Sequence, residues 1–358
     1  MRACTLHLLQ GARNKNNRKI MHKPEILIIA EAGVNHNGSL DLALQLLEAG
    51  AKAGADAVKF QTFCSESLVS RHAPKAEYQK SAGPDGENQL AMLKRLELSP
   101  DAHRILLQRA DELGILFLST PFDLESIHLL HELGLPLFKI GSGEITNLPY
   151  LRELGKFNLP TILSTGMSTL AETDQAVQAL VKAGLEQAKL YLLHCNTQYP
   201  TPDRDVNLRA MLTLREAFPG LGGVGYSDHS LGLEACFAAA ALGARILEKH
   251  FTLDRSLPGP DHQSSLEPLE LADLVRGVRR IEQMLGSGIK EPSPSEQPNM
   301  LPARKSLVAA RFIAKGEKFS PENLAVKRPG SGISPMRWDQ VMGLSAKRNF
   351  EPDELIEL

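Results

Sequence analysis

The chain has 358 residues, 42% of them hydrophobic and 23% charged, a balance ordinary for a globular protein with its own core. A net charge of −2 supplies no basic field for nucleic acid or anionic lipid, and no apolar run approaches the roughly 18–20 residues that span a bilayer. The four cysteines, Cys4, Cys64, Cys195 and Cys236, are scattered with no C-x-x-C pair, which argues against a disulfide framework or zinc knuckle and for a reducing, cytoplasmic setting.

At the N-terminus the apolar stretch 6–9 precedes the basic, Asn-rich stretch 13–19, the reverse of a secretion signal. Residues 1–20 read as a disordered extension, and Met21 offers an alternative start. From residue 21 to 286 one unit recurs: a short β-branched run, a polar or glycine-rich tip, then an Ala/Leu-rich helical stretch. The pattern predicts strands at 25–30, 55–60, 115–118, 136–140, 160–163, 189–193, 222–225 and 244–247, with helices such as 40–53, 102–113, 170–183 and 231–242 between them. Strand and helix in alternation imply a parallel sheet, and eight such units fit a closed (β/α)8 TIM barrel. The competing doubly wound sheet lacks a G-x-G-x-x-G after its first strand.

Each strand runs into polar residues. They are, in order, Glu31 with Asn35 and His36; Lys59 and Gln61; Ser119 and Thr120; Lys139, Ser142 and Glu144; Ser164 and Thr165; His194, Asn196, Thr197 and Tyr199; Ser227, Asp228 and His229; Glu248, Lys249 and His250. In such barrels the active site is built at the C-terminal rim from several strands. Alternation puts Lys59 and Gln61 on one face with Ala57, Glu31 with Leu27 and Ile29, and His194 and Asn196 with Leu192. Lys59 and Lys139, with Thr120, Ser142, Ser164 and Ser227 nearby, suit a phosphate cradle; a Schiff-base lysine is the rival role. His229 and His250, on neighbouring strand tips, can share one ion and leave coordination positions open. Glu248 and Asp228 stand as further ligands, supporting partners or ion-pair members, and Glu31 as a general base or acid.

These residues fall in strings that resemble the N-acetylneuraminate (sialic acid) synthase family: I-A-E-A-G-V-N-H-N-G-S (29–39), V-K-F-Q-T (58–62), S-T-P-F-D (119–123), K-I-G-S-G-E (139–144), S-T-G-M (164–167), H-C-N-T-Q-Y-P-T-P (194–202), S-D-H (227–229), E-K-H-F-T (248–252) and P-G-P-D (258–261). The resemblance implies condensation of phosphoenolpyruvate with N-acetylmannosamine and water to N-acetylneuraminate and phosphate, assisted by a divalent metal, Mn2+ or Mg2+. It implies that Lys59, Thr120, Lys139, Ser142, Ser164 and Ser227 hold phosphoenolpyruvate, and that His229 and His250 bind the metal. Glu31 becomes the base for water addition, and Gln61, Glu144, Tyr199 and Asp261 contact the amino sugar. Where some members carry Thr-Asn, this chain has Asn196-Thr197, and synthases of the related N,N'-diacetyllegionaminate share most of these strings, so that acceptor is the alternative.

Residues 287–302, rich in Pro and Gly, read as a linker, and 303–358 as a small β-rich domain resembling the antifreeze-like (SAF) domain of these synthases. Ser306 begins an alternating strand pattern, and Lys315-Gly316-Glu317 reads as a turn. Ice binding is disfavoured by the charges of Lys327 and Arg328. The family resemblance instead implies a domain-swapped homodimer in which Arg328 reaches the sugar in the partner's barrel. A 3-deoxy-octulosonate phosphate synthase normally lacks this domain, and a metal-dependent amidohydrolase would want an H-x-H on the first strand.

Overall fold

The computed structural model describes residues 25–75 and 87–358; the extension expected over residues 1–20 lies outside them. The chain divides into two compact units, one ending at Gly286 and one starting at Ser287. No helix among the described residues is long and apolar enough to cross a membrane.

The first unit carries β1 (Leu27–Gly33), β2 (Ala57–Thr62), β3 (Leu116–Pro121), β4 (Phe138–Ile140), β5 (Thr161–Ser164), β6 (Leu190–Cys195), β7 (Gly223–Asp228) and β8 (Ile246–His250). The sheet order is β3-β2-β1-β8-β7-β6-β5-β4, all pairs parallel, and β3 lies against β4. The sheet therefore closes on itself as a (β/α)8 barrel. Several strands run further toward their C-terminal ends than the apolar pattern predicts, because buried polar tips continue the ladder.

One set of alternate residues, including Leu27, Ile29, Ala57, Leu118, Ile162, Tyr191, Leu193 and Ile246, fills the barrel interior. The other set, including Ile28, Val58, Phe60, Phe117, Leu192 and Leu247, packs outward against the helices. Helix Leu40–Ala53 shows how the layers lock. The Ser39 hydroxyl accepts from the Leu42 N–H, the helix stops at Gly54 in a left-handed conformation, and Ala43, Leu46 and Leu47 face the sheet. Gly50 brings this helix close, since a Cβ there would sit 2.4 Å from Val58 Cγ2. The helix predicted over 231–242 begins only at Glu234, where the Glu234 carboxylate accepts the Leu233 N–H and holds a turn before it.

In the second unit β9 (Ser306–Ala309) pairs antiparallel with β10 (Leu324–Lys327) over a core that includes Leu307, Ile313, Phe319, Val341 and Phe350. The strand pattern starting at Ser306 ends at Ala309 and continues as loop, and Lys315–Glu317 turns as expected, with the Glu317 N–H bonded to the Ala314 carbonyl. Within the stretch read as linker, Gln297–Ala303 is a short helix with Pro298 in its first turn, where the missing N–H costs nothing.

Candidate active site

Strand register sets the geometry of the mouth. Glu31 lies opposite Lys59 on β2 and opposite His250 on β8, and Ser227 lies opposite Glu248. Just past Glu31 the β1–β2 register slips before Gly33, a bulge of the kind that re-aims strands beside active sites. Gly33 has φ 52, and a Cβ there would lie 3.4 Å from Glu31 Oε1 and His250 Cε1 and 3.5 Å from Gln61 Nε2. The missing side chain leaves room where these three groups meet.

The mouth opens on a cavity of about 490 Å3 lined by Glu31, Lys59, Gln61, Thr120, Lys139, Ser142, Glu144, Ser164, Tyr199, Ser227, His229, His250 and Asp261. Every barrel residue to which the family resemblance gives a substrate, catalytic or metal role is in that lining. The lysines and the imidazoles open on the same space. Arg328 belongs to the second unit, where its Nε donates to the Ala303 carbonyl at 3.2 Å.

At the cavity floor a buried quartet of charges is interlocked. Lys59 Nζ is 2.6 Å from Glu31 Oε2 and 3.6 Å from Glu248 Oε2, and donates to Thr120 Oγ1 at 2.9 Å. Lys139 Nζ is 3.2 Å from Glu248 Oε1, which also accepts from Ser227 Oγ at 2.8 Å. Glu248 is thus the hub that neutralises both lysines. Burial pushes the Glu31 carboxyl up to about 7 against the pull of Lys59. Burial also opposes the Glu248 charge, but Lys139 and Lys59 outweigh it and hold its pKa well below the usual range. Burial disfavours the Lys59 ammonium, yet Glu248 and Glu31 prevail and raise its pKa; that of Lys139 is lowered by burial. A charged Lys59 suits anion binding better than Schiff-base formation, which needs a neutral amine.

The two imidazoles lie 5.3 Å apart between ring centroids. The Asn196 carbonyl accepts from His229 Nδ1, so His229 Nε2 presents its lone pair to the Tyr199 hydroxyl at 3.1 Å. His250 Nδ1 is buried without a hydrogen-bond partner, 3.9 Å from Asp261 Oδ2. Burial lowers His229 to about 4 and, with His229 beside it, takes His250 well below its ordinary value. Two neutral rings, one with an orphaned nitrogen, fit a divalent ion with open positions. Among the described residues no group of three or more His, Cys, Asp or Glu side chains forms a closed metal cage. Burial lifts Asp261 to about 6 and also raises Glu144, against the Asn147 amide that donates to it at 2.7 Å.

Four rim residues face elsewhere. His194 points outward beside Tyr226, its Nε2 bonded to the Val206 carbonyl at 2.9 Å, because Tyr191 and Leu193 are the inward residues of β6. Asp228 and Lys249 also point outward and form a buried pair at 2.6 Å, so Asp228 is no metal ligand. The Asn196 side chain turns into its own loop, accepting from the Gln198 N–H at 2.7 Å, and Thr197 lines the cavity in its place. The role of Glu248 was legible in principle: it stands two residues before His250 and so shares its face.

Residues 46–290 match the model of the NeuB family, and residues 304–357 that of the SAF domain. The chain belongs to the NeuB family. It is 53% identical over 330 residues to the N,N'-diacetyllegionaminic acid synthase of Campylobacter jejuni, covering 92% of this chain and 98% of that one. A synthase of the same description from Legionella pneumophila is 47% identical, over 90% and 91% of the two chains. The crystal structure of an N-acetylneuraminic acid synthetase from Leptospira borgpetersenii is 39% identical with a TM-score of 0.67, covering 77% of this chain and 90% of that one. This NeuB-family chain is therefore an enzyme of the nonulosonic acid synthase type, and its relatives favour the diacetylated acceptor over the N-acetylmannosamine first inferred from the sequence.

Proposed function

We propose that the enzyme condenses phosphoenolpyruvate with a diacetamido hexose and water, giving N,N'-diacetyllegionaminate and phosphate in the cytoplasm. The observation carrying this reading is that both lysines and both imidazoles line one cavity. Lys59, Lys139, Thr120, Ser142, Ser164 and Ser227 hold the phosphate and carboxylate of phosphoenolpyruvate, whose anionic oxygens replace part of what Glu31 and Glu248 supply to the lysines in its absence. His229 and His250 hold the divalent ion, Mn2+ or Mg2+, which when bound polarises the acceptor aldehyde as a Lewis acid. Gln61, Glu144, Tyr199 and Asp261 orient the sugar so that its aldehyde carbon meets C3 of phosphoenolpyruvate. As that bond forms, C2 gains oxocarbenium character beside the carboxylates. Glu31, ionised, takes a proton from the water that adds at C2, and the hemiketal phosphate collapses by C–O cleavage to release phosphate. Arg328 of the partner subunit completes the sugar site in a domain-swapped homodimer.

The test is phosphate release from phosphoenolpyruvate and Mn2+ with a panel of acceptors. Turnover with the diacetamido hexose well above that with N-acetylmannosamine supports the proposal; the reverse order returns the acceptor to N-acetylmannosamine. Release independent of any acceptor defeats both. For Arg328→Ala the expected result is a raised acceptor KM in an intact dimer; an unchanged KM removes the swapped contact.

A further inference from the structure

The cavity has a second wall unlike the charged floor. Val34, Phe63, Leu68, Met92, Leu96 and Phe122 line it and form a hydrophobic cluster distinct from the barrel interior and from the outer layer under the helices. The wall is assembled from residues just past β1, β2 and β3 and from the helices Ser65–Leu68 and Gln89–Leu96. Phe63 and Phe122 meet edge to face at 6.3 Å between ring centroids, and Met92 is 1% exposed. The cluster is packed on itself and borders the cavity, so it gives the site one apolar side.

The wall starts one residue beyond the point where Glu31, His250 and Gln61 converge on Gly33. Among the described lining residues the only lysines or arginines are Lys59 and Lys139, both engaged at the floor. A phosphate or an unpaired hydroxyl pressed against this wall would lose hydration with nothing in return, whereas a methyl group gains by burial. Gln61, at the edge between floor and wall, offers an amide donor and acceptor together, matching the two polar atoms of another amide.

We infer that this wall is the specificity surface for the second acetamido group of the acceptor, with the amide facing Gln61 and the methyl packed against Met92 and Phe63. The inference rests on the diacetamido reading above and extends it: the acceptor presents an uncharged acylated amine here.

The experiment uses the full chain with phosphoenolpyruvate and Mn2+, and compares the wild type with Met92→Gln, near in size but polar, and Met92→Leu. Met92→Gln should raise KM for the diacetamido hexose about four- to tenfold, ~0.8–1.4 kcal/mol at 1.4 kcal/mol per decade, while KM for phosphoenolpyruvate holds. Met92→Leu should restore the acceptor KM. Should Met92→Gln melt early, Leu93→Gln, half-buried on the same wall, carries the same expectation. An unchanged acceptor KM overturns the inference, as does a parallel rise in both KM values. If the wild type uses the diacetamido hexose but the variants fail this pattern, the acceptor stands and the wall's role falls. A wild type that uses only N-acetylmannosamine removes both.

Discussion

The buried pair outside the barrel mouth gives the sharpest prediction. Lys249 Nζ sits 2.6 Å from Asp228 Oδ2, both side chains at most 1% exposed. Asp228 has further donors: the Ser230 N–H at 2.9 Å, the Ser230 hydroxyl at 2.7 Å, the Tyr226 hydroxyl at 3.1 Å and the Cys236 thiol at 3.4 Å. Among the described residues Lys249 has only the Ser230 carbonyl besides. Breaking a buried pair costs roughly 3–5 kcal/mol through the charge left behind. The two single variants should therefore be unequal. Lys249→Met leaves a carboxylate still held by four neutral donors and falls near 3 kcal/mol, whereas Asp228→Asn strands an ammonium and approaches about 5 kcal/mol. At about 2–4 °C per kcal/mol for a domain of this size, the barrel transition drops by roughly 6–12 °C and 10–20 °C. The double variant, which removes both charges, should recover to within a few degrees of wild type. The assay is a thermal melt of all four proteins, following the barrel transition apart from that of the second unit. Single variants within about 2 °C of wild type, or a double variant that sums the two losses, would refute the reasoning.

Glu31, raised to about 7, must be ionised to act as base, so kcat/KM should climb with rising pH and reach half its plateau near pH 7. Glu31→Gln should cut kcat by about 10²–10⁴-fold and erase that limb. His229→Ala and His250→Ala should abolish metal binding in calorimetric titration and activity with it, while the melt stays close to wild type; undiminished turnover removes the metal assignment. Gly33→Ala places a side chain at φ 52 and within 3.4 Å of Glu31 and His250, so it should lower the melt by the ~1–2 kcal/mol of a left-handed residue and reduce kcat at least tenfold. Normal kcat in that variant would mean the space beside Gly33 is not used.

Much of the fold was readable because the strand–helix alternation recurs without interruption, and much of the mouth because Lys59 and Glu31 are charges inside apolar runs. A charge gives a strand its phase. β6 shows the opposite case: L-Y-L-L-H-C is apolar on both faces, as parallel strands buried on two sides are, so nothing in it says which residues face inward. That is why His194 reads from the sequence as one more polar residue of the rim. The apolar wall was invisible for a different reason. Val34, Phe63, Met92 and Phe122 come from separate segments, and only the closed barrel brings them together.

The apolar plug of Leu27, Ile29, Ala57, Leu118 and Ile246 beneath the charged quartet makes the barrel a vessel open at one end. Lys59 lies one turn of the pleat below Gln61, so whatever the lysines grip rests underneath whatever the amide grips. Under the proposed assignment of phosphoenolpyruvate to the lysines, entry is sequential: the anionic partner loads ahead of the sugar, and phosphate leaves after the larger product. Steady-state kinetics should accordingly show a compulsory order, with the sugar binding only to enzyme already charged with the smaller ligand.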